Sequence, residues 1–368
     1  MDHISLPGEK ISRIISAFDI PAEITSASPF GSGHINDTYR LTNEDLLGDD
    51  YLLQRINHHV FRDVPLLMNN LDIVTRHLKE KVASGKNVLT LIGTKAGKPY
   101  LQDEDGNYWR VFVFLKDTKS YDLVTSEKQA YEGGKAFGSF QALLSDLDIH
   151  LIKYTIPDFH NIEFRLNNFE KAIASDSCNR ASSVEPEIAF IRQRAKAMSE
   201  ILEMGKAGFL PLRIVHNDTK FNNVLLDSHD NAQCVIDLDT VMPGFAAYDF
   251  GDSVRTIINT AAEDEADTIR IGLNVPLFAA YTRGYLQEAQ TFLTQAEVDS
   301  LIKGALLLPF IQSVRFLTDY LEGDVYFKIH SPGHNLQRTR AQHALVVKLE
   351  ENLAALEGII FETWQQYQ

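Results

Sequence analysis

The 368-residue chain reads as an α+β protein in two parts, a small antiparallel sheet within residues 1–116 and a mostly helical remainder, 117–368. Three observations predict this. Short alternating runs rich in Val, Tyr, Phe and Leu, bounded by Gly, Asp and Pro, crowd the first part. Beyond it, apolar residues recur every three to four positions over long stretches, the period of helices with one buried face. Set into the helical part is one compact exception, two short β-type runs at 214–226 and 234–239 that carry a cluster of His, Asn and Asp.

In chain order, residues 11–18 predict a short helix that Pro21 stops. Residues 27–30 lead into Gly31-Ser32-Gly33, and 38–42 form the strand that follows. A glycine-rich turn between strands lets backbone N–H groups approach phosphate oxygens, because glycine tolerates the required dihedrals and puts no side chain in the way. Gly-x-Gly alone describes a plain hairpin equally well; its place upstream of the acidic cluster distinguishes it. Residues 51–56 are the next strand, whose alternation points Gln54 and Arg55 to opposite faces. Leu67, Leu71, Val74 and Leu78 make one stripe of a helix over 64–79. Strands at 88–92, 99–101 and 108–114 complete the sheet, with Asp105-Gly106 marking the hairpin before the last. Residues 114–117 then link strand pattern to helix pattern.

A helix over 125–147 contains Gly133-Gly134, at a cost of about 1 kcal/mol per Gly relative to Ala, which a close helix crossing would offset. Residues 158–210 are helical with polar faces, clearest over 187–204, and Pro211 resets the chain. Residues 248–253 start a helix, with Asp249 as N-cap and Asp252 three residues on. The helix over 298–320 carries an apolar stripe through Leu301, Ile302, Leu306, Phe310, Val314 and Leu317. Arg315 and Asp319 lie on another face, either as an i,i+4 surface ion pair or with Arg315 turned to a ligand. The last helix, 338–367, aligns Leu345, Leu349, Leu353, Leu356 and Ile360 on one face, for docking on the helical part or for a coiled-coil dimer. His58-His59 has no third ligand nearby in sequence and reads as a solvated loop.

With 44% hydrophobic and 23% charged residues, the composition is that of an ordinary globular protein. A net charge of −15 argues against a nucleic-acid or anionic-membrane surface. Cys178 and Cys234 are far apart and lack metal-ligand spacing, so neither a disulfide framework nor a zinc site is expected, and a reducing compartment is favoured. The first ten residues are polar and the Ile-rich stretch after them is broken by Arg13, Ser16 and Asp19, unlike a secretory signal. The longest apolar run, 305–311, is too short to span a bilayer. The expectation is a cytoplasmic chain with small-molecule partners, no nucleic acid and no membrane, its oligomeric state open with a monomer favoured.

The chemistry lies in His216-Asn217-Asp218, in Asn223 after it, and in Asp237 beyond the next apolar run. Phosphoryl transfer from ATP to an alcohol needs a carboxylate beside the attacking oxygen and hard oxygen ligands for Mg2+. Asp218 suits the first task; Asn223 and Asp237, one neutral and one charged, suit the second. The general kinase template also places a lysine on a strand of the sheet. Here Gln54 stands at that place without a charge, and the sequence leaves open whether Gln54, Arg55 or neither meets the phosphates. Phe114 marks the hinge, where backbone groups would meet an adenine edge.

Residues 216–223, Ile236-Asp237-Leu238-Asp239 and Tyr248-Asp249-Phe250-Gly251-Asp252 resemble the aminoglycoside phosphotransferase and choline kinase superfamily. With Gly31-Ser32-Gly33-His34-Ile35-Asn36, residues 237–244 and residues 319–327 added, the chain resembles the N-acetylhexosamine 1-kinases within it. The blocks run from near residue 30 to near residue 340. The resemblance implies a bilobed protein-kinase-like fold, an N-lobe of 1–116 over a C-lobe of 117–368, with Mg-ATP between them. It implies Asp218 as the catalytic carboxylate and Asn223 and Asp237 as Mg2+ ligands. Gly31, Ser32, Gly33, Gln54 and Phe114 would meet the nucleotide, and His34, Asp218, Arg315 and Tyr326 the acceptor. An Asp near 249–252 would brace the catalytic loop. The implied reaction is phosphorylation of the anomeric hydroxyl of N-acetylglucosamine or N-acetylgalactosamine. Two alternatives stand beside it: a kinase of homoserine, an amino alcohol or an aminoglycoside, whose cationic acceptor calls for a carboxylate-lined pocket, and a nucleotide-binding pseudokinase, against which Asp218, Asn223 and Asp237 are all present.

Overall fold

The computed structural model describes residues 8–31, 35–82 and 87–368, so that Ser32, Gly33 and His34 lie outside the described residues. The first part contains α1 (Glu9–Ser16), β1 (Ile24–Pro29), β2 (Asp37–Asn43), β3 (Tyr51–Ile56), α2 (Val64–Lys81), β4 (Leu91–Ile92), β5 (Leu101–Gln102) and β6 (Tyr108–Val113). The strands form one antiparallel sheet of order β1-β2-β3-β6-β4, with β5 also on β6. Period-two alternation decides what each face meets. Leu41, Tyr51, Leu53, Trp109 and Val111 pack with Ile14 and Phe18 on one side. On the other, Ile56 and Phe112 pack on Leu67, Leu71, Val74 and Leu78 of α2, a helix that begins where the Asp63 carboxylate accepts the Leu66 N–H. Gln54 is directly opposite Arg110 in the β3–β6 register, and Arg55 points the other way to pair with Asp37.

The remainder is built from α3 (Glu127–Leu144), α4 (Ile162–Ser175), α5 (Glu185–Met198), α6 (Glu200–Lys206), α7 (Ala246–Ile257), α8 (Val275–Ala289), α9 (Gln295–Glu322), α10 (His334–Glu351) and α11 (Leu353–Gln365). Two short ribbons sit between α6 and α7: β7 (Arg213–Val215) pairs with β10 (Met242–Gly244), and β8 (Val224–Leu226) with β9 (Ala232–Val235). The α3–α8 crossing explains Gly134 and Gly284, while Gly133 makes room for the Phe221 ring. A Cβ on Gly134 would lie 2.1 Å from the Tyr281 carbonyl oxygen, and one on Gly284 2.0 Å from that of Tyr131. Backbone meets backbone there, and only glycine leaves the room.

Three helices differ from the sequence expectation. The pattern over 187–204 is interrupted at Ser199, between α5 and α6, and that over 338–367 at Asn352, between α10 and α11. In the second case the apolar stripe runs through the break, because Leu345, Leu349, Leu356 and Ile360 enter the same core. α9 is 28 residues long and passes the length and composition of a bilayer-crossing helix, which the 305–311 run does not suggest; its most apolar window is 72% buried inside the protein. Packing against α4, α7 and α10 accounts for that composition. His58 and His59 stack on each other, ring centroids 4.6 Å apart, and no group of three or more His, Cys, Asp or Glu able to hold a metal occurs among the described residues.

Candidate active site

β7 buries Ile214 and Val215 and then delivers Asp218 through a sharp turn, since Asn217 adopts a left-handed φ of 64°. Asp249 holds that turn. Its carboxylate accepts the N–H groups of His216 (2.8 Å) and Asn217 (2.7 Å) and the side-chain amide of Gln141 (2.7 Å). Thr219 Oγ1 donates to the Asp249 carbonyl (2.6 Å), and Ser253 Oγ donates to that of Thr219 (2.9 Å). Complete burial raises the pKa of Asp249 above the usual carboxylate value, against the pull of His216 and these donors. The expectation that Asp249 caps its helix is therefore overturned: Phe245 is the N-cap of α7. Asp249 lies one turn inside and turns inward, where the two loop N–H groups need an acceptor. Asp252, expected to favour the same helix start, is buried against Arg255 (2.9 Å).

His216 Nδ1 accepts the Asp218 N–H (3.3 Å), so Nε2 carries the proton and donates to the Ile236 carbonyl (2.9 Å). The loop that carries Asp218 is thereby tied to the residue preceding Asp237. Asp218 is about a quarter exposed, with 24% of its side-chain surface accessible, and pairs with Lys220 Nζ at 3.1 Å. Lys220 has its pKa raised chiefly by Asp218. The sequence reading missed this lysine, although its position two residues after Asp218 is a usable signal. Asn223 Nδ2 donates to the Asp218 carbonyl (2.8 Å), and its own Oδ1 has no donor among the described residues. Asp237 stands at a left-handed φ of 61°. Its carboxyl reaches solvent but is hemmed in by protein, which pushes its pKa up to about 6, with the Asp239 and Asp218 carboxylates adding to the shift. The free amide oxygen of Asn223 and the carboxylate of Asp237 are hard donors of the kind Mg2+ takes, with phosphate and water left to complete the shell.

On the sheet side, Gly31 opens the β1–β2 connection with a φ of 78°, a conformation that favours glycine. Phe30 meets the Phe114 ring edge-on at 5.3 Å, which brings the residue before Gly31 and the residue after β6 together. The Phe114 N–H donates to the Asp50 carbonyl (2.8 Å) and is thus not open to a ligand. Gln54 Nε2 donates to Thr38 Oγ1 (3.0 Å), while its Oε1 accepts from Arg110 Nε (3.0 Å). Arg110 in turn forms a buried bidentate pair with Asp239, Nη2 to Oδ2 at 2.9 Å and Nη1 to Oδ1. Nothing local in sequence marks Arg110; only the strand register finds it.

On the other side, the Arg315 guanidinium lies 5.4 Å from the Phe159 ring, 5.2 Å from Phe327 and 6.0 Å from Tyr326. It donates to Gln312 Oε1 (2.6 Å), and no carboxylate pairs with it among the described residues. Desolvation pushes its pKa down. The expected Arg315–Asp319 surface pair is absent because Asp319 is buried and otherwise engaged. Its carboxylate accepts the N–H groups of Val325 (2.9 Å), Tyr326 (2.7 Å) and Phe327 (2.9 Å) and the Asn335 amide (2.8 Å). α9 ends at Gly323, φ 100°, and the chain folds back over that carboxylate. Asp319 thus presents Tyr326, 66% exposed, and Phe327 beside Arg315. His160 Nε2 bonds the Asn217 carbonyl (2.9 Å), and burial lowers its pKa to about 4.

The model of the phosphotransferase enzyme family (APH) matches residues 26–289. Among solved structures, the chain is similar to amicoumacin kinase in complex with AMP-PNP and Ca2+, at 15% identity and a TM-score of 0.61, over 92% of this chain and 93% of that one. It is similar to a microcompartment-associated aminopropanol kinase at 14% identity and a TM-score of 0.62, over 95% and 98% of the two chains. A choline kinase from Cryptosporidium parvum aligns at 17% identity with a TM-score of 0.58, over 97% and 99%. These likenesses show the fold, an antiparallel sheet followed by a helical region.

Proposed function

The chain belongs to the phosphotransferase enzyme family, and on that premise we propose that it transfers the γ-phosphoryl group of ATP to the anomeric hydroxyl of an N-acetylhexosamine, releasing ADP and the sugar 1-phosphate. One observation carries the phosphotransfer. Asn223 donates to the Asp218 carbonyl (2.8 Å), and Ile236, the residue before Asp237, is bonded to both Asn223 (2.9 Å) and His216 (2.9 Å), so that hydrogen bonds link the segments carrying Asp218, Asn223 and Asp237. ATP as donor is supported by a relative solved with AMP-PNP.

In this reading Mg-ATP lies between residues 1–116 and 117–368. Gly31 would approach the phosphates and Phe114 would lie at the hinge. The acceptor oxygen attacks the γ-phosphorus, the bond to the β–γ bridging oxygen breaks, and its electron pair leaves with ADP. Asp218 orients the acceptor hydroxyl and takes its proton, while Lys220 holds one carboxylate oxygen at 3.1 Å and fixes where the other points. Mg2+ at Asn223 Oδ1 and the Asp237 carboxylate supplies charge neutralisation for the β- and γ-phosphates.

The N-acetylhexosamine assignment rests on the sequence blocks at 31–36, 216–223, 237–244 and 319–327. It is supported by the chemistry around Arg315: a cation with no carboxylate partner among the described residues, beside the Tyr326 and Phe327 rings. That lining suits a neutral polyhydroxylated acceptor with an apolar ring face. It disfavours amino alcohols, the acceptors named for two of the relatives, because a cation beside Arg315 is repelled. The test is Mg-ATP-dependent ADP release with N-acetylglucosamine, N-acetylgalactosamine, glucose, galactose, homoserine, choline and an aminoglycoside, with Asp218→Asn as blank. Fastest turnover of an N-acetylhexosamine and phosphorus NMR of a 1-phosphate support the proposal. A faster amino alcohol rejects the acceptor, and tight Mg-ATP binding without turnover of any acceptor rejects the enzyme.

A further inference from the structure

At the strand position where the general kinase template carries a phosphate-binding lysine, this chain has Gln54, and we propose that an Arg110–Asp239 pair, one strand over, holds the Asp237 loop in register for the metal. The inference rests on the phosphotransferase reading above.

The geometry excludes Gln54 as a simple substitute. Its Oε1 accepts from Arg110 Nε (3.0 Å) and its Nε2 is tied to Thr38 Oγ1 (3.0 Å), so the glutamine orients the guanidinium. A lysine at position 54 would face Arg110 directly across the β3–β6 register and repel it. Nor does α2 offer an acidic partner on this face, since the side chain it presents to Arg110 is Met68, with Nη1 4.0 Å from Sδ. The partner is Asp239, two residues after Asp237 and almost wholly buried, as Arg110 is.

Asp239 is gripped on three sides. Arg110 holds both carboxylate oxygens, Asn36 Nδ2 donates to Oδ2 (2.9 Å), and Thr155 Oγ1 donates to the main-chain carbonyl (3.1 Å). Asn36 itself accepts the Asn57 N–H (2.9 Å), so the sheet side reaches the turn at two points. That turn begins with Asp237 in a left-handed conformation that costs a non-glycine residue free energy. A buried fork on Asp239 is what keeps it there. The pair also neutralises Asp239, which would otherwise add a second uncompensated carboxylate beside the phosphates.

The test is calorimetric ADP binding, with Mg2+ and with EDTA, to wild type, Gln54→Leu and the double variant Arg110→Met, Asp239→Leu. An apolar pair is chosen because removing Arg110 alone leaves a buried charge, whereas replacing both partners leaves none. The quantity read is the gain in ADP affinity on adding Mg2+. The expected result is a gain reduced about tenfold or more in the double variant and severalfold in Gln54→Leu, with metal-free ADP affinity kept within about threefold, as positioning of a metal ligand requires. An undiminished gain in both variants overturns the inference, as does an equal fall with and without Mg2+. A wild type that does not bind ADP overturns the phosphotransferase reading and this inference together. A wild type that binds ADP but turns over no acceptor defeats the enzyme assignment alone, and the binding arms still decide the role of the pair.

Discussion

Replacing Asp249 by Asn exchanges one carboxylate oxygen for an amide donor at the centre of the loop that carries Asp218. Oδ2 accepts from His216 and Gln141, whereas Oδ1 accepts only from Asn217. The cheaper orientation puts the new NH2 at the Oδ1 position. There it faces the Asn217 N–H, and one buried backbone donor is left without an acceptor. An unsatisfied buried donor costs about 1–3 kcal/mol and more when the lost acceptor was charged. Relief of the burial that already raises the Asp249 pKa offsets part of this, leaving a net loss of about 2–3 kcal/mol. The larger consequence is catalytic. Asn217 is held in its left-handed turn by that bond, and Asp218 follows it, so a displacement of about 1 Å lowers kcat on the order of a hundredfold. Denaturant unfolding and steady-state kinetics read both quantities. An Asp249→Asn protein within about 0.5 kcal/mol of wild type and within about threefold in kcat would refute the bracing role.

Three further outcomes are expected. Gly134→Ala should destabilise by about 2 kcal/mol or more, because the overpacking cost against the Tyr281 carbonyl exceeds the ~1 kcal/mol gained in helix propensity; a stabilised variant in thermal unfolding would contradict the backbone-to-backbone crossing. Stability should fall as pH drops from the unfolded histidine value near 6.5 towards about 4. Buried His160 stays neutral over that range while the unfolded chain takes up a proton, a contribution on the order of 3 kcal/mol that is fully present above about 6.5. His343, lowered to about 3 by burial, adds to the trend; denaturant midpoints for wild type and His160→Gln that decline in parallel would remove His160 from this account. Asp319→Asn should raise the acceptor KM by about tenfold and leave the Mg-ATP KM unchanged, since it loosens the backbone that presents Tyr326 and Phe327; equal changes in both constants would mean a general loss of structure.

The parts of this protein legible in sequence are those governed by short-range chemistry. Alternation over 51–56 and 108–114 placed two strands almost to the residue, and the α2 stripe appeared as read. Gly134 announced a close crossing before its partner helix was known, whereas its neighbour Gly133 makes room for the Phe221 ring. Asp218 and Asn223 belong to one loop, so their spacing alone brought them together, and Asp237 required only one intervening hairpin. What tertiary structure decided are the partners of charged groups. Asp319 and Arg315, one helical turn apart, looked like a surface pair, yet the chain beyond Gly323 folds back and claims the carboxylate. Asp249 looked like a cap because a cap is a local role, while its donors come from residues more than thirty positions away. Arg110 carried no local signal, and its role follows from Gln54 across the sheet and Asp239 far along the chain. The reason is physical. Dihedral preference and side-chain period act over a few residues and are written in order along the chain, whereas a buried charge must be satisfied by whatever the fold brings within about 3 Å.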